Sequence, residues 1–326
     1  MTTRRETMLV LAAALLSPAA RSQSGGAVSR IGYFGNGQAP ANGLAPAVLR
    51  DALRDFGYVE GKNVEYVARW AELRPERLPA IAREMVDARL DVVVCIGYPT
   101  AQAMKAATST IPIVFLSVGD PVASGLVASL ARPGANLTGL SDQSDELSAK
   151  RMEILKELRP NAARIAVMWN ASNEAMTLRY REIERAATAL HIDVQPLGVR
   201  EPGEFDGAFA AMSRARPDAL LVITDALTNT NQGRVVDFAS KNDVPAMYEF
   251  GPIVRSGGLI SYGPNPDDAF RRVAGYVNRI LKGAKPAQLP VEQPTHFELL
   301  LNMRTAKSLG VTIPNSVFVR ADEVIQ

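Results

Sequence analysis

The sequence predicts an α/β protein made of two doubly wound, parallel-sheet lobes that are joined by a hinge with several crossings. Three observations support this prediction. Short apolar runs alternate with segments whose apolar residues recur at helical spacing, and a second series of this kind follows the first. The chain of 326 residues is longer than one hydrophobic core usually accommodates. Further strand and helix patterns follow the second series, and we expect them to be shared between both sheets.

The first series lies before residue 140. Its predicted strands are buried or alternating runs, namely Arg30–Phe34, Asn63–Arg69, Leu90–Ile96 and Ile111–Leu116. Helical stripes separate them, running from Ala45 to Phe56, from Leu78 to Val86 and from Ala101 to Ala107. Pro121 suits the first turn of a helix, and the apolar residues from Val122 to Leu130 recur at helical spacing. A fourth helix is therefore predicted after Asp120.

The second series lies between residues 140 and 253. Its predicted strands are Arg164–Trp169, His191–Leu197, Asp218–Ile223 and Pro245–Glu249, again with helical stripes between them. After it we expect a strand at Gly257–Gly263, a helix at Phe270–Leu281, a strand in at least the first part of Pro290–Leu301, and a short helix around Ala306. Crossings near residues 139, 251–258 and 286–290 would give a first lobe of residues 28–139 plus 254–287 and a second lobe of residues 140–253 plus 288–326. Several parallel crossings make a hinge, and a hinge between two lobes makes a cleft that can close.

The first 23 residues have the composition of a secretory signal. Arg4 and Arg5 precede a short apolar run from Met8 to Leu16, and small residues follow it. The run is shorter than the roughly 20 apolar residues that a membrane span needs. Arg4-Arg5 also begins the twin-arginine pattern, so both export routes stay open. We expect an exported protein, located in the periplasm.

Charge and composition exclude several other classes. Residues 1–23 hold three of the 36 basic and one of the 34 acidic residues, so the remainder of the chain is balanced. No basic stripe interleaved with aromatic residues is present, which argues against nucleic-acid binding. Cys95 is the single cysteine and lies in an apolar run, where a small core residue is expected. No cofactor is predicted.

Several segments together resemble a known family, the exported solute-binding proteins of ABC importers, in the group similar to tryptophan- and other aromatic-amino-acid-binding proteins. The resemblance covers essentially the whole chain after the signal. It is carried by Phe56–Asn63, Ile111–Phe115 with Asp120-Pro121, Leu130–Gly139, Gly257–Pro264, Ile280–Pro286, Leu289–Thr295 and Ala321–Ile325. It implies the type I periplasmic-binding-protein fold, capture of a small organic solute such as an amino acid or a carboxylate, a monomer, and delivery to an ABC permease in the inner membrane. The identity of the solute stays open.

On such a scaffold the first lobe is expected to bind the ligand beyond the ends of its strands. Tyr98, Thr100 and Ala101 begin the helix after the third strand, and Ser117 and Asp120 follow the fourth. Helix N-termini at Tyr98 and Asp120 would receive a ligand carboxylate. Asp120 could instead serve only as a helix cap.

The second lobe is expected to contribute Asn170, Asp225 and Glu249, which follow three of its strands. Asp225 is the first choice for a ligand ammonium group, because a desolvated carboxylate needs a cation. A purely structural helix cap is an equal alternative for Asp225. Tyr33, Phe34, Tyr98 and Tyr248 could form aromatic walls or simply pack in the core.

An exported α/β enzyme acting on a small carboxylated substrate is the alternative function, since two lobes around a cleft host many chemistries. The motifs that would support it are weak. His191 and His296 lack neighbouring metal-ligand patterns, no G-x-S-x-G elbow is present, and the Gly35-Asn-Gly37 turn lacks the third glycine of a dinucleotide fingerprint. The sequence therefore predicts a binding protein rather than an enzyme.

Overall fold

The structure is a computed structural model, and it describes residues 28–142 and 145–326. The predicted signal at residues 1–23 lies outside the described residues. Among the helices of the described ranges, none is long and apolar enough to cross a bilayer.

The first lobe contains a five-stranded parallel sheet. Its strands are β1 Ser29–Gly35, β2 Val64–Trp70, β3 Val92–Ile96, β4 Ile113–Leu116 and β5 Leu137–Gly139, in the spatial order β2-β1-β3-β4-β5. The central strands β3 and β4 are almost entirely buried, because helices cover both faces of a doubly wound sheet. Their continuous apolar runs follow from this double coverage.

Four helices cover this sheet. Three of them lie within the first series, namely α1 Ala47–Asp55, α2 Leu78–Asp87 and α3 Tyr98–Ala107. The fourth comes from much later in the chain, at Pro266–Leu281, and its face from Val273 to Ile280 packs on Leu49 and Leu53 of α1 and on Val92 and Val114 of the sheet. A short 3₁₀ turn at Pro75–Arg77 precedes α2.

The second lobe contains a seven-stranded sheet. Its strands are β6 Arg164–Asn170, β7 Asp193–Val199, β8 Ala219–Val222, β9 Ala246–Tyr248, β10 Ile260–Gly263, β11 Glu298–Asn302 and β12 Glu323–Ile325, in the order β12-β11-β10-β9-β8-β6-β7. β11 runs antiparallel to β10, and the other neighbouring pairs are parallel.

The helices of the second lobe complete the chain. In order they are α4 Asp145–Leu158, α5 Glu174–Ala189, α6 Phe205–Ala215, α7 Ala226–Thr230, α8 Gln232–Lys241 and α9 Gly251–Arg255, then α10, the first-lobe helix at Pro266–Leu281, and finally α11 Met303–Ser308 and α12 Asn315–Phe318. Short 3₁₀ turns lie at Pro202–Glu204 and Pro286–Gln288.

Three features differ from the sequence-based expectations. β10 pairs with β9 in the second sheet, whereas residues 254–287 were expected in the first lobe, and α10 packs on the first sheet. The strand expected in the first part of Pro290–Leu301 lies instead in its last part, as β11. No helix follows Asp120, because the segment turns at Gly125, which has φ +68° in the left-handed region.

The chain passes between the two sheets three times, after β5, after β10 and before β11. Two of these segments are bonded to each other, since Ser141 N–H donates to Glu292 O and Glu292 N–H donates to Gly139 O. Glu292 also receives hydrogen bonds from Arg272 on α10, at 3.1 Å for Nε. These two crossings are therefore bonded to each other and, through Glu292, to α10.

Candidate functional site

A cavity of about 310 Å³ lies between the lobes. Its volume is at the small end of the range for small-molecule sites. The first lobe lines it with Tyr33, Gly35, Asn36, Gly37, Gln38, Trp70, Ile96, Gly97, Pro99 and Ser117. The second lobe lines it with Asn173, Thr224, Asp225, Ala226, Asn229, Thr230 and Phe250, and Asp142 on the first crossing completes the lining.

The topology explains why these residues meet. In the first sheet Trp70, Asn36, Gly97 and Ser117 follow or end β2, β1, β3 and β4, so they stand side by side along the carboxyl edge in that order. In the second sheet the segments after β9, β8 and β6 do the same from the other side. Ligand sites of open α/β sheets lie at these edges, and here two such edges face each other.

The wall at the β2 end is aromatic. The rings of Tyr33 and Trp70 lie 4.9 Å apart between centroids. Trp70 is the register partner of Gly35 on the neighbouring strand, and a Cβ at position 35 would lie 2.4 Å from the indole atoms Cε3 and Cζ3. The indole therefore rests on bare backbone, which only glycine leaves open.

Two carboxylates line the cavity, and they differ in how many hydrogen bonds they already accept from the protein. Asp225 Oδ1 accepts from Leu227 N–H at 2.9 Å and Thr228 N–H at 3.1 Å, which makes it the N-cap of α7. Its Oδ2 accepts from Asn170 at 2.6 Å and Asn173 at 3.4 Å. Burial raises the pKa of the Asp225 carboxyl above its ordinary value, although these hydrogen bonds act to lower it.

Asp142 has fewer partners among the described residues. Its Oδ1 accepts from Gly119 N–H at 2.7 Å, and its Oδ2 lies 3.2 Å from Arg179 Nη2. An ionised carboxylate has about four lone-pair sites, and the contacts of Asp142 with described residues use two of them.

A row of buried charges supports Asp142 from the second lobe. Arg179 contacts both Asp142 and Glu249, and Arg151 bonds Glu249 Oε1 at 2.7 Å and Tyr262 O at 2.8 Å. Burial pulls the pKa of Arg179 down, but the charges of Glu249 and Asp142 more than offset this effect and raise it. Burial lowers the pKa of Arg151. The four side chains balance one another in charge.

Three polar atoms of lining residues have no hydrogen-bond partner within the described ranges. They are Asn36 Oδ1, Trp70 Nε1 and Thr224 Oγ1. Buried polar atoms in native proteins are nearly always paired. Buried atoms away from the cavity, such as Tyr66 Oη and Ser261 Oγ, also lack a partner among the described residues, so these three atoms do not by themselves mark a ligand site.

The two lobes touch across the cleft. Tyr98 Oη donates to Glu174 Oε2 at 3.3 Å, and Gly119 and Gly37 approach Ala175 and Ala226 so closely that a glycine Cβ would lie 3.3 Å and 3.9 Å away. One buried apolar cluster also continues from the first lobe into the second. The cleft is therefore closed in this structure.

Of the eight residues predicted to bind ligand, Ser117 and Asp225 line the cavity and six do not. Thr100 and Ala101 are fully buried, and the Thr100 hydroxyl bonds the carbonyls of Ile96 and Gly97. Tyr98 lies behind the cavity, where it bonds Glu174. Glu249 is 1% exposed and belongs to the buried charge row.

The remaining two of the six have structural roles. Asn170 donates its amide to Asp225 and accepts from Ser172 N–H at 3.0 Å. Asp120 accepts from Val122 N–H and Ala123 N–H and so caps a turn. The expected helix N-terminus at Asp120 does not exist, so it cannot hold a ligand carboxylate.

The sequence-based interpretation missed Asn36, Trp70, Asp142, Asn173, Thr224 and Phe250. Thr224, Asn173 and Asn36 follow strands directly or within three residues, so their position could have indicated them. Trp70 and Asp142 carry no such signal, because the first depends on β2 lying beside β1 and the second on the course of the hinge.

Among the described residues, no group of three or more His, Cys, Asp or Glu side chains is placed to hold a metal ion. Two α/β lobes, three connecting segments and a cavity between the lobes define a bilobal protein of the type I periplasmic-binding-protein fold.

Comparisons with known proteins agree. Residues 40–325 match the family model described as "ABC transporter substrate binding protein". A tyrosine-binding protein of Clostridioides difficile (strain R20291) is 29% identical over 276 residues, which are 83% of this chain and 79% of the relative. This chain belongs to the ABC transporter substrate-binding protein family.

Two solved structures show the relation in three dimensions. An ABC domain in complex with L-Trp from Streptococcus pneumonia has a TM-score of 0.84. The ligand-free, open structure of a substrate-binding protein with adhesive properties from Clostridium difficile has a TM-score of 0.65. Both are 27% identical to this chain, cover 92% of it and are themselves covered completely.

Proposed function

We propose that this protein captures an aromatic amino acid between its lobes and delivers it to an ABC permease. The observation that carries the proposal is the charge of the cavity. Asp142 and Asp225 line it, whereas no Lys or Arg does among the described residues. Arg179 already offsets the charge of Asp142 in the buried row, and the lining offers no basic side chain to a second anion, so a ligand that brings a positive charge is favoured over one that is only negative. An α-ammonium group brings such a charge, and a simple carboxylate does not.

Asp142 is the better acceptor for the ammonium group. All the lone-pair sites of Asp225 are used by two backbone N–H groups and two amides. Asp142 uses only two sites for the residues that the structure describes, and these two partners, Arg179 and Gly119, hold its carboxylate in place. Asp225 then contributes its charge and the shape of the second wall. Asp142 therefore replaces Asp225 as the first choice for the residue that binds the ligand ammonium group.

The ligand carboxylate is assigned to the β3–β4 end of the first lobe. Ser117 offers a hydroxyl there, and α3 begins directly after Gly97. The first N–H groups of a helix have no intrahelical partner, and its dipole favours an anion. Ammonium and carboxylate would thus lie close together, as they are on one α-carbon.

The opposite end suits an aromatic side chain. Tyr33 and Trp70 form one wall, and Phe250 lines the cavity from the second lobe. Stacked or tilted aromatic rings add roughly 0.5–1.5 kcal/mol per pair beyond their buried area. The tyrosine-binding relative and the L-Trp complex support this choice of ligand class.

The same comparison supports capture by closure. At equal identity and coverage, the fold agrees better with the L-Trp complex than with the ligand-free, open structure. The predicted signal at residues 1–23 supports export to the periplasm, where a monomer would pass its solute to the inner-membrane permease. The protein would bind its solute without changing it and would therefore not be an enzyme.

The test uses three ligands that differ by one group each. L-phenylalanine has both charges, 3-phenylpropanoate lacks the amine, and 2-phenylethylamine lacks the carboxylate. We expect L-phenylalanine to raise Tm according to its occupancy and the other two to have little effect at the same concentration. A larger shift with 3-phenylpropanoate, or no shift with any aromatic amino acid, would contradict the proposal. Recovery of a chemically altered ligand after incubation would favour the enzyme alternative.

A further inference from the structure

One ion pair of the buried charge row connects two parts of the chain that can move apart. Asp142 Oδ2 lies 3.2 Å from Arg179 Nη2, and the two side chains are only 10% and 3% exposed. Asp142 lies on the first crossing, whereas Arg179 belongs to α5 of the second lobe. The pair bears on closure of the cleft only if each member moves with a different lobe.

Asp142 is fixed to the first lobe. Its Oδ1 accepts from Gly119 N–H at 2.7 Å, and the hydroxyl of the preceding residue, Ser141, donates to Gly119 O at 2.9 Å. Leu140 N–H donates to Phe115 O of β4. The crossing thus holds both backbone groups of Gly119, so Asp142 should stay with the first sheet when the lobes separate.

Arg179 is fixed to the second lobe. Its Nη1 donates to both carboxylate oxygens of Glu249, at 3.1 Å and 3.0 Å. Glu249 in turn accepts from Arg151 Nη1 at 2.7 Å and from Thr224 N–H at 2.8 Å, and all of these residues belong to the second lobe. Opening of the lobes therefore has to break the contact between Arg179 and Asp142.

The charge balance of the row changes with closure. Without Asp142, the ion pairs of the row contain two arginines and one glutamate, and Asp142 supplies the fourth charge when the lobes close. The charge of Glu182 on α5 raises the pKa of Arg179 less than that of Glu249 or Asp142 does. A buried charge that has lost its partner is strongly destabilising, whereas a buried pair is close to neutral. Arg179 therefore offsets much of the cost of burying Asp142 in the closed cleft.

We infer that Asp142 and Arg179 form a latch between the lobes, whose ion pair makes the closed conformation accessible to the protein before a solute binds. Arg179 does not line the cavity, so it acts as a positioning residue through Asp142. The latch does not depend on which solute is bound. Because the free energy of closure is part of every binding reaction, a latch that lowers it tightens the binding of any solute.

The test measures the distance between the lobes in the ligand-free protein. Cys95 is fully buried, so spin labels can be attached to cysteines introduced by Arg83→Cys on α2 and Arg185→Cys on α5, both at exposed positions. Pulsed electron spin resonance then gives the populations of the open and closed distances. We expect both distances in the otherwise wild-type protein. Arg179→Met should lower the closed-to-open ratio about tenfold or more, because closure would bury Asp142 without its cation.

Cancelling the opposite charge distinguishes a latch from a purely structural role. Asp142→Asn keeps an oxygen for Gly119 N–H but leaves Arg179 in excess, so alone it should also favour the open distance. It leaves the second lobe unaltered and therefore tests the latch even if Arg179→Met does not fold. The double variant should recover most of the wild-type closed population, since neither charge is then buried alone.

The matched control is Arg181→Met. Arg181 lies two residues further along α5 and is exposed, so its replacement should leave the distance distribution unchanged.

The outcomes separate the latch from the proposed function. A ligand-free wild-type protein that shows only the open distance, or an Asp142→Asn variant as closed as the wild type, would contradict the latch. A double variant no more closed than Arg179→Met would contradict it as well. All these measurements are made without ligand, so a failure of aromatic amino acids to bind would overturn the proposed function and leave the latch standing.

Discussion

The Tyr98 hydroxyl in the first lobe donates a hydrogen bond to the Glu174 carboxylate in the second, across a distance of 3.3 Å. The two residues begin α3 and α5, and they lie outside the ligand cavity. The bond can exist only when the lobes are closed. It therefore contributes to the affinity for ligand without touching the ligand.

Tyr98→Phe should weaken binding while leaving the fold unchanged. Removing one moderately long hydrogen bond to an exposed carboxylate costs about 0.5–1 kcal/mol, which is a two- to fivefold rise in Kd. Tyr58→Phe is the matched control, because Tyr58 Oη donates to Asn278 at the same 3.3 Å but within the first lobe. Calorimetric titration of both variants should show a higher Kd only for Tyr98→Phe. Equal increases in Kd would mean that the Tyr98–Glu174 hydrogen bond does not stabilise the closed state.

Gly35→Ala should damage the site through Trp70 alone. The added methyl would lie 2.4 Å from the indole ring, so the ring has to move away from its place in the cavity wall. Overpacking of this kind costs about 1–3 kcal/mol, and we expect Kd to rise roughly tenfold or more. Gly207→Ala in α6 is the control, since nothing lies within 4 Å of its Cβ position. Unchanged affinity in Gly35→Ala would show that the indole position does not matter.

Asp142→Asn and Asp225→Asn separate the two carboxylates of the cavity. Among the described residues, partners occupy two lone-pair sites of Asp142 and all four of Asp225, so the first substitution should remove a charge-assisted hydrogen bond to the ligand ammonium group. Such bonds contribute about 1.5–3 kcal/mol, or roughly 10- to 150-fold in Kd. Asp225→Asn removes a negative charge from the cavity but no direct hydrogen bond to the ligand, so we expect a smaller loss of affinity. The opposite order, measured by titration with L-tyrosine, would restore Asp225 as the ammonium acceptor.

The buried charge row should be important for stability. In Glu249→Gln, Arg151 and Arg179 lose the carboxylate that both contact, at 3% exposure each. Breaking a buried ion pair from one side typically costs about 3–5 kcal/mol. Glu323→Gln provides the surface control, because its pair with Arg255 is largely exposed and contributes about 0–1 kcal/mol. Urea unfolding of both variants should show this contrast, and equal losses would mean that solvent reaches the buried row.

The sequence allowed the fold to be predicted well because each buried strand is a run of apolar residues whose spacing needs no partner to be interpreted. Strand ends were also predictable, and Ser117 and Asp225, which were expected at the site for this reason, line the cavity. Whether a side chain that follows a strand is buried or lines the cleft was not predictable. Glu249 follows β9 as expected, yet it lies 1% exposed beneath the cleft, because its two arginine partners are 98 and 70 residues away in the chain.

The same limit explains the residues that were missed. Trp70 lines the site only because β2 lies beside β1 with Gly35 opposite the indole. The spacing of residues within one strand does not predict its register with a neighbouring strand. The helix predicted after Asp120 is absent for a local reason. Its apolar spacing is helical, but Gly125 adopts a left-handed conformation and ends the turn.

Glu292 in the hinge should make stability depend on pH in the acid range. Burial alone would raise its pKa, but hydrogen bonds from Arg272 and the charges of Arg272 and Arg279 outweigh this effect and lower the pKa. The unfolded chain therefore binds more protons than the folded chain just below the ordinary value of 4.5, and stability has to fall as the pH falls through this range. Above it, the contribution of Glu292 is fully present.

Glu292→Gln removes this contribution, so the difference in unfolding free energy between wild type and variant should be largest near pH 7 and narrow below pH 4.5. Urea unfolding at a series of pH values measures it. Because two crossings and α10 meet at Glu292, the variant should also bind ligand less tightly at neutral pH. A stability difference that stays constant from pH 7 to pH 3.5 would mean that the carboxylate is not stabilised by its arginines in the folded hinge.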